Sequence, residues 1–188
     1  MEPDELTIAH FDAMATGDAE LARRCIDAEH INRMAADEPP ACALPGLPGF
    51  LATSAWLRLA FTDLRFEPID IVTQDERTIA HVWMHARQTG PFVVFPPGQK
   101  PQAFPPTGRE FAVRQCHVFR HAGGRHREHI AVRDDLGMMT QLGHLPPTPM
   151  VAARLALYTV RGHARHAIAQ AVAVAEAASR TVTQPLAA

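Results

Sequence analysis

GREFAVRQCHVFRHAGGRHREHIAVRDDLGMMTQLG, residues Gly108 to Gly143, alternates in the manner of paired strands. Phe111, Val113, Gln115, His117 and Phe119 fall on one side, and Ala112, Arg114, Cys116, Val118 and Arg120 on the other. Gly123-Gly124 then supplies two adjacent residues that accept positive φ, as a tight hairpin turn of matching twist requires. The stretch reads as a β-hairpin. On the return strand, alternation puts Glu128, Ile130, Val132 and Asp134 on one side and His129, Ala131, Arg133 and Asp135 on the other. If the apolar stripe ending in Asp134 faces inward, that carboxylate sits at the rim or floor of an apolar pocket. Burial there disfavours the charged form and raises the pKa toward the range useful to an acid or base. The competing reading has Asp134 or Asp135 capping the short turn Leu136 to Leu142, because aspartate accepts hydrogen bonds from free amides at a helix start. Adjacent residues of an extended chain point opposite ways, so one aspartate can face a pocket while the other caps.

Upstream, Thr78 to Arg87 alternates too, with Ile79, His81, Trp83, His85 and Arg87 on one face and Ala80, Val82, Met84 and Ala86 on the other. The first face mixes polar and aromatic groups, as a pocket wall or a solvent or subunit face would. His85 and Trp83 are candidates for ligand contact, and His81 reads as ordinary surface. Phe66 to Val72 is a strand carrying Pro68, which favours an edge or bulge. Six of the sixteen prolines lie between Pro91 and Pro106, with Phe92, Phe95 and Phe104, so a stiff loop is expected there. Placed over a pocket mouth it would act as a lid; otherwise it is an exposed loop or an oligomer contact.

The N-terminal third reads as helices. Pro3-Asp4-Glu5 starts one that carries Ile8, Phe11 and Met14 and stops at Gly17. Asp18 caps a second, striped by Leu21, Ala22, Cys25 and Ile26. Glu29 to Arg33 leads into a loop, and Gly46-Leu47-Pro48-Gly49 opens a third helix whose Phe50, Leu57 and Phe61 can pack inward. Trp56 on that helix is either core or cavity wall. Past Pro146, Pro147 and Pro149, residues 150–180 read as an Ala-rich helix with an interruption at Gly162. Val151, Leu155, Tyr158, Ile168, Val172 and Val174 are its expected contacts, on its own domain or on a partner subunit. Residues 1–145 form one domain and 146–188 an appended linker and helix, with a loose end from Thr181.

Composition narrows the function. With 47% hydrophobic and 20% charged residues the chain can bury a core, and a net charge of −2 gives no attraction to nucleic acid or anionic lipid. The cysteines Cys25, Cys42 and Cys116 are odd in number and show no zinc spacing, and the N-terminus MEPDE lacks a secretory signal. Reduced thiols in a cytoplasmic protein, with no membrane span, are expected. Eleven histidines invite a metal site, but His126/His129 and His163/His166 lack further convergent ligands and no HExxH motif occurs, so no metal is expected. A GxSxG elbow and a Gly-rich phosphate loop are absent from the sequence. Acid–base chemistry, or binding without chemistry, remains.

The order Pro105-Pro106-Thr107-Gly108-Arg109, a strand ending His117-Val118-Phe119-Arg120, a glycine turn, Glu128-His129, Asp134, Leu136-Gly137 and Gln141-Leu142-Gly143 resembles the SnoaL-like polyketide cyclase family. That family belongs to the nuclear transport factor 2-like, or ketosteroid-isomerase-like, superfamily, and the resemblance spans roughly Leu6 to Gly143. It implies an α+β cone: a curved, mostly antiparallel sheet wrapped by N-terminal helices around one deep pocket, here with a C-terminal helical extension. It further implies that Asp134 serves as acid and base in an intramolecular aldol ring closure, without cofactor. His117 would steady the enolate, a buried and satisfied core histidine being the competing reading, and Asn32, Gln115 and Phe119 would contact the ligand beside Trp56, Trp83 and His85. Arg33 stands where the family often has His, and Gln88 replaces the His of a His-Thr-Gly triplet. The partner implied is a small hydrophobic carbonyl compound, and a homodimer or higher homo-oligomer is expected. An isomerase, dehydratase or hydrolase would use the same cone, as would a non-catalytic binding or protein-interaction module.

Overall fold

The computed structural model describes residues 1–181. The rest of the tail expected to be loose lies outside the described residues. Helices α1 (Pro3–Thr16) and α2 (Ala19–Cys25) come first. Gly17 closes α1 at φ +74°, and Asp18 accepts from the amides of Glu20 and Leu21 to open α2. Leu6, His10, Phe11 and Met14 form the buried face of α1, while Ile8 stays partly exposed.

Strand β1 (Ile26–Asn32) follows, where the sequence suggested only a loop entrance. Helix α3 (Gly46–Ala60) then leads into β2 (Phe61–Gln74), β3 (Arg77–Gln88), β6 (Glu110–Ala122) and β7 (Arg125–Arg133). With β1, these strands form a five-stranded curved sheet ordered β1-β7-β6-β3-β2, antiparallel except where β1 runs parallel to β7. Pro68 lies on the edge strand β2 next to a register shift, so its missing N–H interrupts little. Between β3 and β6, two three-residue strands, β4 (Phe92–Val94) and β5 (Gln102–Phe104), pair as a small hairpin. Both lie in proline-free gaps of the stiff loop, where backbone N–H groups are available for a ladder.

The C-terminal segment folds back on its own domain as α5 (Pro149–Val160) and α6 (His163–Arg180), broken at Gly162 with φ +78°. The seam is alanine: Ala164, Ala167, Ala171 and Ala175 are buried at helical spacing. Val172 and Val174, expected to make contacts, are only partly buried. Small side chains let α6 lie close against α3 and the β4–β5 hairpin. A second tie comes from Gln88, whose Oε1 accepts from the Thr107 hydroxyl and from His144 Nε2, both at 3.0 Å. Arg154 on α5 donates to His144 Nδ1.

One departure from simple alternation matters most. Gly123 and Gly124 make the two-residue turn, at φ +58° and +72°, so that Ala122 faces Arg125 and His121 faces His126. The register then slips by one: Arg120 pairs with Glu128, Phe119 with His129, His117 with Ala131 and Gln115 with Arg133. Arg127 is the extra residue of a β-bulge. A one-residue slip moves every later side chain to the other face. The Ile130–Val132 stripe therefore faces out, 42% and 74% exposed, and His129, Ala131 and Arg133 turn in.

Candidate active site

The inner face of the sheet, α1, α3 and the β4–β5 hairpin enclose a cavity of about 250 Å³. An apolar cavity of about 150 Å³ holds benzene, so this one admits a fused-ring compound. Much of its wall is aromatic or thioether: Phe11, Phe50, Trp56, Phe66, Phe104 and Met84 among others. Trp56 donates its indole N–H to Val93 O at 2.9 Å, fastening the hairpin over α3 as a lid.

One end is polar. Asn32 Oδ1 accepts the Met34 amide, which fixes it as an acceptor, and His129 Nδ1–H donates to it at 3.2 Å. His129 Nε2 then accepts from His117 Nδ1–H at 2.9 Å. His117 Nε2 is left as an acceptor 2.9 Å from the Gln115 amide, a contact satisfied when the amide turns its NH₂ toward the ring. Behind this chain, His126 and His10 share a hydrogen bond, and Phe119 stacks between His126 and His129. The bulge makes this cluster, since without it His126 and His129 could not both point inward. Burial pushes His117 and His126 down to about 3 and His30 to about 4. It also lowers His10 and His129, helped by neighbouring histidines. The wall is polar but uncharged.

Beside it stands Arg133, the cation of the cavity, ion-paired through Nη2 with Asp37 at 2.9 Å and Asp135 at 3.3 Å. Glu38, buried next to them, accepts from the Thr53 hydroxyl at 2.7 Å. Burial raises its carboxyl to about 7, aided by Asp37 and opposed by Thr53, Arg133 and Cys42.

Of the residues expected at the site, His117, Gln115, Asn32 and Trp56 line the cavity. Phe119 is buried behind it. Asp134 does not face it: its Oδ1 accepts from the Gly137 amide at 2.8 Å as the N-cap of α4 (Asp135–Gln141). Gly137 leaves room for this cap, because a Cβ there would come within 2.2 Å of the Asp134 carboxylate and turn it aside. His85 and Trp83 also point away. They sit on the outer sheet face, His85 3.1 Å from Glu67 and Trp83 under the Arg114 guanidinium. Their inward neighbours Val82, Met84 and Ala86 are the buried set. His10, His30, Glu38 and Arg133 line the cavity without having been singled out; Asp135 takes the pocket-facing place that alternation left open between the two aspartates, and of the pair weighed as metal ligands His129 lines the cavity and His126 is fully buried. Among the described residues no three His, Cys, Asp or Glu side chains converge as metal ligands would.

A family model described as SnoaL-like polyketide cyclase matches residues 6–142. No curated protein matches the chain in sequence. Among solved structures, TsrD from Streptomyces laurentii is 25% identical with a TM-score of 0.62, over 76% of this chain and 95% of its own. IdmH from Streptomyces antibioticus is 21% identical with a TM-score of 0.57, over 76% and 99%. A SnoaL-like polyketide cyclase from Agrobacterium tumefaciens is 17% identical with a TM-score of 0.56, over 74% and 97%.

Proposed function

The chain belongs to the SnoaL-like polyketide cyclase family, and from that premise we propose that it is a cofactor-independent enzyme closing a ring in a polyketide-like carbonyl compound by an intramolecular aldol step. The observation that carries this reading is a guanidinium, Arg133, beside the carboxylates and neutral histidines at the polar end of a cavity whose remaining wall is largely aromatic rings and methionines. Flat apolar walls hold a fused-ring substrate and exclude water, while a fixed cation polarises the carbonyl brought to it. The neutral chain of Asn32, His129, His117 and Gln115 keeps the polar wall in one hydrogen-bonded arrangement and adds no competing charge. Within this reading His117 positions its neighbours, and a carboxyl group of the cavity moves the proton. Confinement between these walls brings the two reacting ends of a chain together.

The test is turnover. The protein is incubated with aromatic poly-β-carbonyl esters, ring closure is followed by mass spectrometry, and affinity is read from Trp56 fluorescence. Conversion that falls in Arg133→Gln supports the reading. One observation favours the alternative, a small-ligand-binding module without catalysis: Asp134, which the resemblance makes the acid and base, is spent on a helix cap. Tight binding with no conversion of any compound would put that alternative first. Isomerase, dehydratase or hydrolase activity would be seen in the same mass spectra as products without the new ring.

No helix among the described residues is long and apolar enough to cross a membrane. We place the protein in the cytoplasm, acting on a small ligand, not on nucleic acid or membrane. We also infer a homodimer through the outer sheet face, where Val72, Ile79 and Val132 are exposed. Val132→Glu should then halve the solution mass.

A further inference from the structure

The carboxylates lining the cavity are Asp37, Glu38 and Asp135, and their surroundings differ. The side chains of Asp37 and Asp135 are 37% and 52% exposed, and both are paired with Arg133 Nη2. Glu38 is only 2% exposed at its side chain. Its Oε2 accepts from Thr53, with the Asn32 amide 3.5 Å away, and Arg133 Nη1 stands 3.8 Å from its Oε1. Cys42 and Asp37 complete the groups around it.

The backbone explains why this glutamate points inward. Glu38 precedes Pro39-Pro40, and a residue before proline is driven to the extended region; its φ and ψ are −105° and 169°. A 3-10 turn, Ala35–Asp37, ends just before it and another, Pro40–Ala43, begins just after, so the short extended link between them is fixed at both ends. The lid is tied to the same place, because the Phe95 amide donates to Asp37 O at 2.8 Å.

We propose that Glu38 is the catalytic residue that moves the proton in this cavity. This rests on the acid–base reading above and names the group that performs it. The carboxylate takes a proton from a carbon next to the substrate carbonyl, and the C–H electron pair passes into an enolate whose oxygen faces Arg133. The enolate carbon attacks a second carbonyl carbon of the same molecule, forming the ring C–C bond. The resulting alkoxide takes the proton back from the Glu38 carboxyl, which returns to a carboxylate. Atoms and charge balance with no cofactor. A buried carboxyl that titrates near neutral pH is suited to both halves of this cycle.

The probe is 2-tetralone, a two-ring ketone with exchangeable protons next to its carbonyl. Deuterium uptake from D₂O is followed by NMR, and binding by Trp56 fluorescence. Wild-type protein should catalyse uptake, rising as pH climbs through about 7. Glu38→Gln should lower the rate by at least ~100-fold with affinity little changed, and Asp134→Asn should leave it intact. Glu38→Asp, which shortens the reach, should fall between and serves as the informative variant if Glu38→Gln does not fold. A carboxyl-carbon titration, assigned with whichever variant folds, should show Glu38 changing state near neutral pH. Uptake at the wild-type rate in either folded Glu38 variant, or Glu38 titrating in the ordinary carboxylate range, overturns the assignment to Glu38 alone. A wild-type protein that leaves 2-tetralone unexchanged overturns the acid–base reading, and Glu38's part falls with it.

Discussion

Lowering the pH from 7 to 5 should weaken the fold sharply, because of the inward histidines. A histidine in the unfolded chain titrates near 6.5, whereas His117 and His126 are held at about 3 and His30 at about 4, chiefly by burial. Their stabilising contribution is fully present above the unfolded value and is lost as pH falls toward the folded values. Between pH 7 and 5 the unfolded chain gains most of a proton at each site and the folded chain almost none. The loss is about 2 kcal/mol per histidine, about 6 kcal/mol for the three. Glu38 works the other way. Its folded value of about 7 lies above that of an unfolded glutamate, so falling pH protonates it in the folded state alone and returns about 2 kcal/mol.

The histidines win, leaving a net loss of about 4 kcal/mol out of a typical total of ~5–15. His10, His129 and His144, also lowered chiefly by burial, add to the loss. Urea unfolding at the two pH values, at fixed ionic strength, measures it. With a slope of ~2–3 kcal/mol/M, the midpoint should fall by about 1.3–2 M. Glu38→Gln should lose about 2 kcal/mol more than wild type over the same step, since the compensating group is gone. A midpoint at pH 5 equal to or above that at pH 7 would refute the reasoning.

Further outcomes follow from single contacts. Asp134→Ala removes the α4 cap and should cost about 1 kcal/mol, with ligand affinity unchanged; fluorescence titration and thermal melts check both halves. Gln88→Leu strands the Thr107 hydroxyl and His144 Nε2–H and should cost about 2–4 kcal/mol in a urea melt. Ala171→Leu overpacks the seam between α6 and its neighbours; it should cost about 1–3 kcal/mol and speed amide hydrogen exchange across residues 92–104.

Much of the fold was legible because the residues that make it act locally. Gly17, Asp18, Gly123-Gly124 and Gly162 each set a local backbone state that needs no distant partner. The strict alternation of β3 and β6 reads directly as sheet faces. What was hidden depends on partners far along the chain. Glu29 to Asn32 has no periodicity of its own and becomes a strand only because β7 offers its edge. The alanine seam of α6 carries little hydrophobic signal, yet close approach to α3 makes small residues the better choice there.

The site was legible only in half, and the dividing line is the bulge. Up to Phe119 the alternation of β6 names the inward face, and from that face Gln115 and His117 reach the cavity. After the turn, an unbroken register would have set His117 opposite Ile130 and Gln115 opposite Val132, and that is the facing alternation implies. The extra residue at Arg127 exchanges those partners for Ala131 and Arg133. Nothing in a string of side chains marks such a slip, because two-residue hairpin geometry and bulged geometry begin with the same glycines. Its consequences reach beyond strand facing. It turns the apolar stripe into an outer surface, brings His129 to the cavity wall with His126 behind it, and brings a guanidinium where an aspartate was expected. With Asp134 on the far side of that slip, a buried carboxyl must come from another element. The Glu38-Pro39-Pro40 segment between β1 and α3 supplies it.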